Sequence, residues 1–245
     1  MNRIAAFFIF ICTLATPLRA GAEPPVTVFA AASLRGVLEE IAAAFPGPLS
    51  LAYGGSGTMA RQVAAGAPAD VVLLASSDWM DWLEGQGRLQ GPSQIFARNR
   101  LVLIAPAGAA PLAEAEIAPR LGDRGRLAMG QRVAVPAGVY ARQWLQQAGL
   151  WDALQSRLAE TDNVRAALAL VARGDAPLGV VYASDARAEP QVEVVMEIPD
   201  EAHDPITYPA AALTPEGAAL VAFLMSDTAQ AILADHGFLK ADHGS

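Results

Sequence analysis

The chain of 245 residues is long enough for one large domain or two small ones, and 53% of its residues are apolar, so it can bury a sizeable core. Its 17 basic and 25 acidic residues give a formal net charge of −8, and Lys240 is the single lysine. An acidic chain with scattered arginines is not typical of a protein that binds nucleic acid or an anionic membrane.

The first 22 residues have the pattern of an export signal. Arg3 provides a short positive start, residues 4–15 form an apolar run, and Ala20, Gly21 and Ala22 fit a small-residue cleavage site. The apolar run is much shorter than the ~20 residues that cross a bilayer. We therefore predict a signal peptide at residues 1–22, cleaved after Ala22, and a periplasmic product.

The single cysteine, Cys12, lies inside this segment. The mature chain would therefore contain no disulfide and would depend on its apolar core, which its length permits. Cys12 also lacks the small-residue context of a lipoprotein attachment site, so we expect a soluble protein.

The rest of the chain alternates short apolar runs with helical periodicity. Helical spacing is clearest at residues 34–45, where apolar residues recur three and four positions apart. Strands are predicted at residues 26–30, 49–53, 70–74, 101–105, 127–129, 178–182 and 192–197. This alternation predicts the α/β class with sheets that are mostly parallel and flanked by helices.

Two proline-marked breaks suggest how the chain is divided. Residues 105–119 and 198–209 interrupt the alternation, and a helical stretch follows at residues 215–239. We predict a first lobe built from residues 23–103 and 206–245, and a second lobe from residues 104–205. Two crossings between lobes would form a hinge and leave a binding cleft.

Enzymatic motifs are weak in this sequence. Ser56 lies in "GGSGT", where Thr58 replaces the last glycine of a nucleophile elbow, and no lysine follows as in a phosphate-binding loop. None of the three histidines falls in a motif, and the one metal-like cluster, at residues 200–204, reads as a solvated loop. A serine hydrolase that uses Ser56 remains an alternative.

Two serines occur where a predicted strand gives way to a helix, Ser33 in "VFAAASL" and Ser56 in "GGSGT". A serine at a helix start usually caps that helix. Helix N-termini gather at the carboxyl edge of parallel strands, however, and their unpaired N–H groups bind anions. The second half offers matching features at Ala137, at residues 162–164 and at Tyr182, which ends a strand.

Five segments carry a family resemblance: "VFAAASL", "GSGTMARQVAAGAPADV", "VPAGVYA", "DNVRAALALVARGDAPLGVVYASDA" and the late "GF". In order and over nearly the whole mature chain, they resemble the periplasmic molybdate-binding proteins of ABC importers, the ModA family. The resemblance implies the type II periplasmic-binding fold, with two α/β lobes and an oxyanion in the cleft. The ligand contacts that it implies are Ser33, Ser56, Ala137, Val164 and Tyr182. Ala137 and Val164 would act through backbone N–H groups, and Tyr182 through its hydroxyl.

The chain departs from the family in two places. Gly54, Gly55 and Gly57 stand where relatives often have more serines, and they permit close approach of another backbone. "GQRVA" replaces an Asp-Pro before "VPAG", which affects the shape of that loop.

The function implied is a periplasmic receptor, not an enzyme, that binds molybdate and also tungstate and delivers it to a permease in the inner membrane. We expect a monomer with no cofactor and no direct protein–metal bond, since molybdenum is held as its oxyanion. A receptor for sulfate or another tetrahedral oxyanion has the same architecture and remains open.

Overall fold

The computed structural model describes residues 23–241, along which strands and helices alternate. The strands are β1 Val26–Ala31, β2 Leu49–Gly54, β3 Val71–Leu73, β4 Gln94–Arg98, β5 Leu101–Pro106, β6 Leu127–Gly130, β7 Leu158–Thr161, β8 Leu178–Tyr182, β9 Val192–Glu197 and β10 Thr207–Ala212. The helices are α1 Arg35–Ala44, α2 Ser56–Ala64, α3 Ser77–Gly85, α4 Ile117–Leu121, α5 Pro136–Gln147, α6 Trp151–Leu154, α7 Val164–Ala172, α8 Ala183–Arg187, α9 Ala218–Leu224 and α10 Asp227–Asp235. The predicted signal peptide lies outside the described residues.

The strands form two five-stranded sheets, in the orders β2-β1-β3-β10-β4 and β7-β6-β8-β5-β9. In each sheet one strand, β10 or β5, runs antiparallel to its two neighbours, and the other strands share one direction. The predicted α/β class with mostly parallel sheets is confirmed. We call the parts built on the first and second sheets lobe one and lobe two.

The chain passes between the sheets twice. It leaves lobe one between β4 and β5, where only Asn99 and Arg100 intervene, and it returns between β9 and β10. The division predicted at 103/104 falls inside β5, so the first passage comes a few residues earlier. The apolar run at residues 101–105 gave no sign of the change, because the same kind of strand serves either sheet.

The central strands have the composition that a covered sheet requires. Every residue of β3 and of β8 is buried, as expected for strands with helices on both faces. On α1 the buried residues are Val37, Leu38 and Ile41, which share one helical face. The apolar residues predicted at helical spacing therefore form the face of α1 that packs on the first sheet.

The sequence patterns did not predict β4, β7 or β10. Two of them, β4 and β7, are edge strands with polar residues, and β10 contains Pro209 beside an irregularity in its pairing with β4. Proline and polar residues weaken a strand signal without preventing pairing at an edge or bulge.

The helical stretch predicted at residues 215–239 divides into α9 and α10, with Ser226 capping α10 through Ala229 N–H. Between residues 23 and 241 no single helix is long and apolar enough to cross a membrane. Only the helix pair Pro215–Leu224 and Asp227–Asp235, taken together, has the required length and composition, and the two helices are bent by 62° relative to each other.

Candidate functional site

Strand ends from both sheets surround a small cavity. All five residues predicted to bind the ligand line it: Ser33, Ser56, Ala137, Val164 and Tyr182. The remaining lining residues are Ala31, Ala32, Gly54, Gly55, Ala75, Val135, Pro136 and Asn163. The lining therefore contains hydroxyls, backbone and apolar groups, and no charged side chain among the described residues.

Neither predicted serine caps a helix. Ser33 lies in the 3₁₀ turn before α1 and Ser56 is the first residue of α2, and neither helix start has a side-chain cap. Both side chains are buried, with 2% of their surface exposed. The usual reason for a serine at these positions therefore does not apply here.

The Ser56 hydroxyl has a defined role as a hydrogen-bond acceptor. Its oxygen accepts a hydrogen bond from the Ala75 backbone N–H at 3.0 Å, across the strand edge. Because the oxygen is engaged as an acceptor, the hydroxyl hydrogen is available to a group in the cavity.

Ser33 is held by two residues that the sequence patterns did not single out. Its oxygen lies 3.0 Å from the Tyr208 hydroxyl oxygen, and either hydroxyl can be the donor. The Tyr208 oxygen accepts from Asn99 Nδ2 at 3.4 Å. With Asn99 donating to it, Tyr208 can donate to Ser33, which leaves the Ser33 hydrogen free. Tyr208 lies in β10, which was not predicted, and Asn99 lies at the first crossing, so the pattern along the chain held no signal for either.

Tyr182 is the last residue of β8 and is 1% exposed. Tyr182 lines the cavity, and its buried hydroxyl has no hydrogen-bond partner among the described residues. An unpaired buried hydroxyl costs free energy, which a ligand can recover by accepting its proton. Burial, and then the neighbouring Tyr208, holds the pKa of Tyr182 well above its usual value, so the group is a neutral donor.

Two helices of lobe two direct their starts at the cavity. Ala137 follows Pro136 at the beginning of α5, and Val164 is the first residue of α7, after Asn163, whose Oδ1 caps Ala166 N–H at 3.0 Å. The first N–H groups of a helix have no partner within it and carry about half a positive charge. This arrangement favours an anion between Ala137 and Val164.

The glycines of the second motif allow the two lobes to approach. A Cβ atom at Gly55 would lie 2.4 Å from the carbonyl oxygen of Asp162 in lobe two, and one at Gly54 would lie 2.6 Å from Met59 Cε. The close backbone approach expected from these glycines is confirmed at Gly55, whereas Gly54 meets a side chain of its own lobe. A side chain at Gly55 would separate the cavity's two walls.

The loop that departs from the family pattern is held by its own side chains. Gln131 Oε1 accepts from Ala134 N–H at 2.7 Å, and Arg132 forms a paired contact with Glu160, with Nη2 and Oε2 2.7 Å apart. The loop before α5 thus has a defined shape without a proline.

Within residues 23–241, neither histidine contacts Ser56 as the base of a serine nucleophile would. His203 contacts the Asp204 carbonyl oxygen and His236 contacts Glu40, while His243 lies outside the described residues. Between residues 23 and 241, no group of three or more His, Cys, Asp or Glu side chains is placed to hold a metal ion.

The architecture and the cavity define the class: this is a two-lobed binding protein of the periplasmic type. Residues 26–239 match the family of bacterial extracellular solute-binding proteins. The chain is 40% identical over 198 residues to the molybdate-binding protein ModA of Escherichia coli, covering 77% of each chain. It is 37% identical to ModA of Haemophilus influenzae, covering 89% of this chain and 91% of that protein. The chain belongs to this solute-binding family, with the ModA proteins among its relatives.

Solved structures agree on the fold. The substrate-binding domain of a putative molybdenum ABC transporter from Clostridium difficile superposes with a TM-score of 0.67 at 30% identity, covering 89% of this chain and 99% of that one. The periplasmic molybdate-binding protein of Azotobacter vinelandii gives a TM-score of 0.77 at 23% identity, covering 89% and 100%. One relative at 29% identity, from Pseudomonas, is an aconitate isomerase.

Proposed function

We propose that this protein is a receptor that binds molybdate, and also tungstate, in the cavity between its lobes and delivers it to the permease of an ABC importer. The observation that carries the proposal is Tyr182, which lines the same small cavity as two serines and two open helix starts and whose buried hydroxyl has no partner among the described residues. A fully oxygenated anion satisfies all of these donors at once.

The chemistry of the lining favours an anion that has no proton. Hydroxyls and N–H groups donate, and a bound hydrogen phosphate would direct its own O–H at these donors. Such an unpaired buried group costs about 1–3 kcal/mol. Sulfate has no such proton, and its shorter bonds would leave some of the donors stretched, so size decides against it.

The relatives support molybdate over the other tetrahedral ions. Two ModA proteins are 40% and 37% identical to the chain over most of its length. The binding chemistry makes and breaks no covalent bond, so no catalytic residue is proposed. Molybdenum would be held as its oxyanion through Ser33, Ser56, Ala137, Val164 and Tyr182, with no direct bond to the metal.

Ligand preference is tested with one panel. Titration calorimetry with molybdate, tungstate, sulfate and phosphate should show tight binding of the first two, far weaker binding of sulfate and weakest binding of phosphate. Sulfate binding more tightly than molybdate would assign the protein to the alternative receptor class. Phosphate outcompeting sulfate would contradict a site made of donors alone. An ester-hydrolysis assay on the same protein tests the hydrolase alternative.

We further propose that the receptor acts as a monomer in the periplasm after removal of residues 1–22. N-terminal sequencing of the native protein should begin at Glu23. A start at Met1 or retention in the membrane would contradict export by this route.

A further inference from the structure

Trp79 connects the two lobes beside the cavity. It lies on α3 of lobe one, and its indole Nε1–H donates to the Ala134 carbonyl oxygen of lobe two at 3.0 Å. The accepting carbonyl belongs to the loop that Gln131 holds by accepting from Ala134 N–H. Donor and acceptor are therefore each fixed within their own lobe.

A gap at Gly57 makes room for this contact. A Cβ atom at Gly57 would lie 2.6 Å from Trp79 Cζ2 and 2.8 Å from the Ala134 carbonyl oxygen. Any side chain at this position must move the indole, the opposing loop or the lobe itself. The absence of a side chain is thus a requirement of the contact between lobes.

The indole is also oriented from its other sides. Arg61 lies over the Trp79 ring with its guanidinium carbon 5.1 Å from the ring centroid, and Trp82 meets it edge to face at 5.5 Å. Such contacts reduce the freedom that Trp79 must lose when it reaches across the cleft.

We propose that Trp79, seated in the gap at Gly57, is a positioning residue that latches the lobes closed and slows release of the bound anion. It is not among the residues that line the cavity. Its hydrogen bond to Ala134 forms only when the lobes meet, so it acts on the rate of opening. The inference rests on the proposed function, because the latch retains whatever the cavity binds.

The test compares Trp79→Phe with Trp82→Phe, and Gly57→Ala with Gly85→Ala. Phenylalanine keeps a ring at residue 79 and removes the donor. Trp82 is on the same helix and makes no hydrogen bond through its indole in the described structure, and phenylalanine at residue 82 keeps a ring beside Trp79. Gly85 ends that helix with nothing within 4 Å of a Cβ.

Stopped-flow kinetics with molybdate should show release accelerated about 2- to 10-fold in Trp79→Phe, the value of one hydrogen bond, with association unchanged. Gly57→Ala should release at least about 10-fold faster, because the clash opposes closure. Both controls should stay within about twofold of the wild type. Equal release rates in Trp79→Phe and Trp82→Phe, or an affinity loss that comes from slower association, would overturn the latch.

Small-angle scattering of the ligand-free proteins provides a test of the latch that does not depend on anion binding. The ligand-free lobes are expected to exchange between open and closed arrangements, with the closed one favoured by the ligand. Gly57→Ala should shift this exchange toward the open arrangement and have a larger radius of gyration than Gly85→Ala, and equal radii would overturn the latch. If the wild type binds none of the four anions, the proposed function fails while this comparison still decides the latch.

Discussion

At the residue scale, what distinguishes the cavity is the number of donors that neighbouring groups leave unused. The Ser56 oxygen accepts from Ala75 N–H, Ser33 is paired with Tyr208, and the Tyr182 hydroxyl has no partner in the described part of the chain. Neutral donors of this kind can surround an oxyanion without a counter-ion, because the anion's charge is spread over several oriented dipoles.

Deleting these hydroxyls should weaken binding. Ser33→Ala, Ser56→Ala and Tyr182→Phe each remove one donor to a charged ligand, which is worth roughly 1.5–3 kcal/mol. We expect affinity for molybdate to fall by about 10- to 100-fold in each, measured by titration calorimetry.

Matched variants remove a hydroxyl elsewhere. Ser50→Ala changes an exposed residue of β2, and Tyr53→Phe changes a tyrosine that does not line the cavity. Both should bind as the wild type does. Unchanged affinity in Ser33→Ala and Ser56→Ala would remove the serines from the site, and unchanged affinity in Tyr182→Phe would show that Tyr182 only packs.

Affinity should be nearly independent of pH between 7 and 9. None of the proposed contacts titrates in this interval, since burial keeps the pKa of Tyr182 well above 10, and the nearby Asp185 has a pKa of about 6. Calorimetry across this range tests the point. A strong pH dependence would reveal a titrating contact among the ligand's neighbours.

At the element scale, the site depends on strands that lead directly into helices. In lobe one β2 leads into α2, and in lobe two β8 leads into α8, with Tyr182 at the junction. The first turn of α8 carries Asp185, which is fully buried and pairs with Arg165 of α7, with Oδ1 and Nε 2.6 Å apart. Burial raises the pKa of Asp185 from 3.8 to about 6, although Arg165 opposes the shift.

This carboxyl should make stability depend on pH. Because the folded-state pKa lies above the unfolded value, the folded state binds the proton more tightly, and this contribution to stability falls as pH rises from about 4 through 6. Relative to Asp185→Asn, which cannot titrate, the wild type should lose up to about 3 kcal/mol of unfolding free energy between pH 4 and pH 7.

Urea denaturation of both proteins at several pH values measures the difference. Asparagine keeps the size of the side chain and leaves Arg165, which is partly exposed, in contact with solvent. If the wild type instead gained stability relative to Asp185→Asn over this interval, the effect of the Arg165 ion pair on the pKa of Asp185 would outweigh that of burial.

At the scale of the whole molecule, each lobe supplies only part of the binding site. Ser33 and Ser56 belong to lobe one, and Ala137, Val164 and Tyr182 belong to lobe two. A ligand that contacts both sets stabilises the closed arrangement relative to an open one.

Ligand should therefore make the protein more compact. Small-angle scattering of the wild type with and without molybdate should show a smaller radius of gyration with the ligand. Sulfate at the same concentration is the matched control and should have a smaller effect. An identical profile with molybdate would mean that the lobes already stay closed or that the contacts are misassigned.

Much of the fold could be predicted from local patterns, and the exceptions have physical causes. The central strands β3 and β8 are apolar throughout because both sheet faces are covered, so they stand out along the chain. The edge strands β4 and β7 are partly exposed and contain polar residues, and β10 contains Pro209 next to a bulge. Their pairing depends on partners far away in the chain.

The sequence by itself determined the fold class, the strand-to-helix junctions and five residues that line one cavity. These follow from short-range causes: apolar periodicity, the unpaired N–H groups of a helix start, and a family resemblance carried by contiguous motifs. The tertiary structure decided which hydroxyls remain free. Ser33 meets Tyr208 across 175 positions, Trp79 meets Ala134 across 55, and the buried Tyr182 hydroxyl meets no partner. Contacts between such distant segments depend on how the two sheets are placed together, and local periodicity carries no information about that placement.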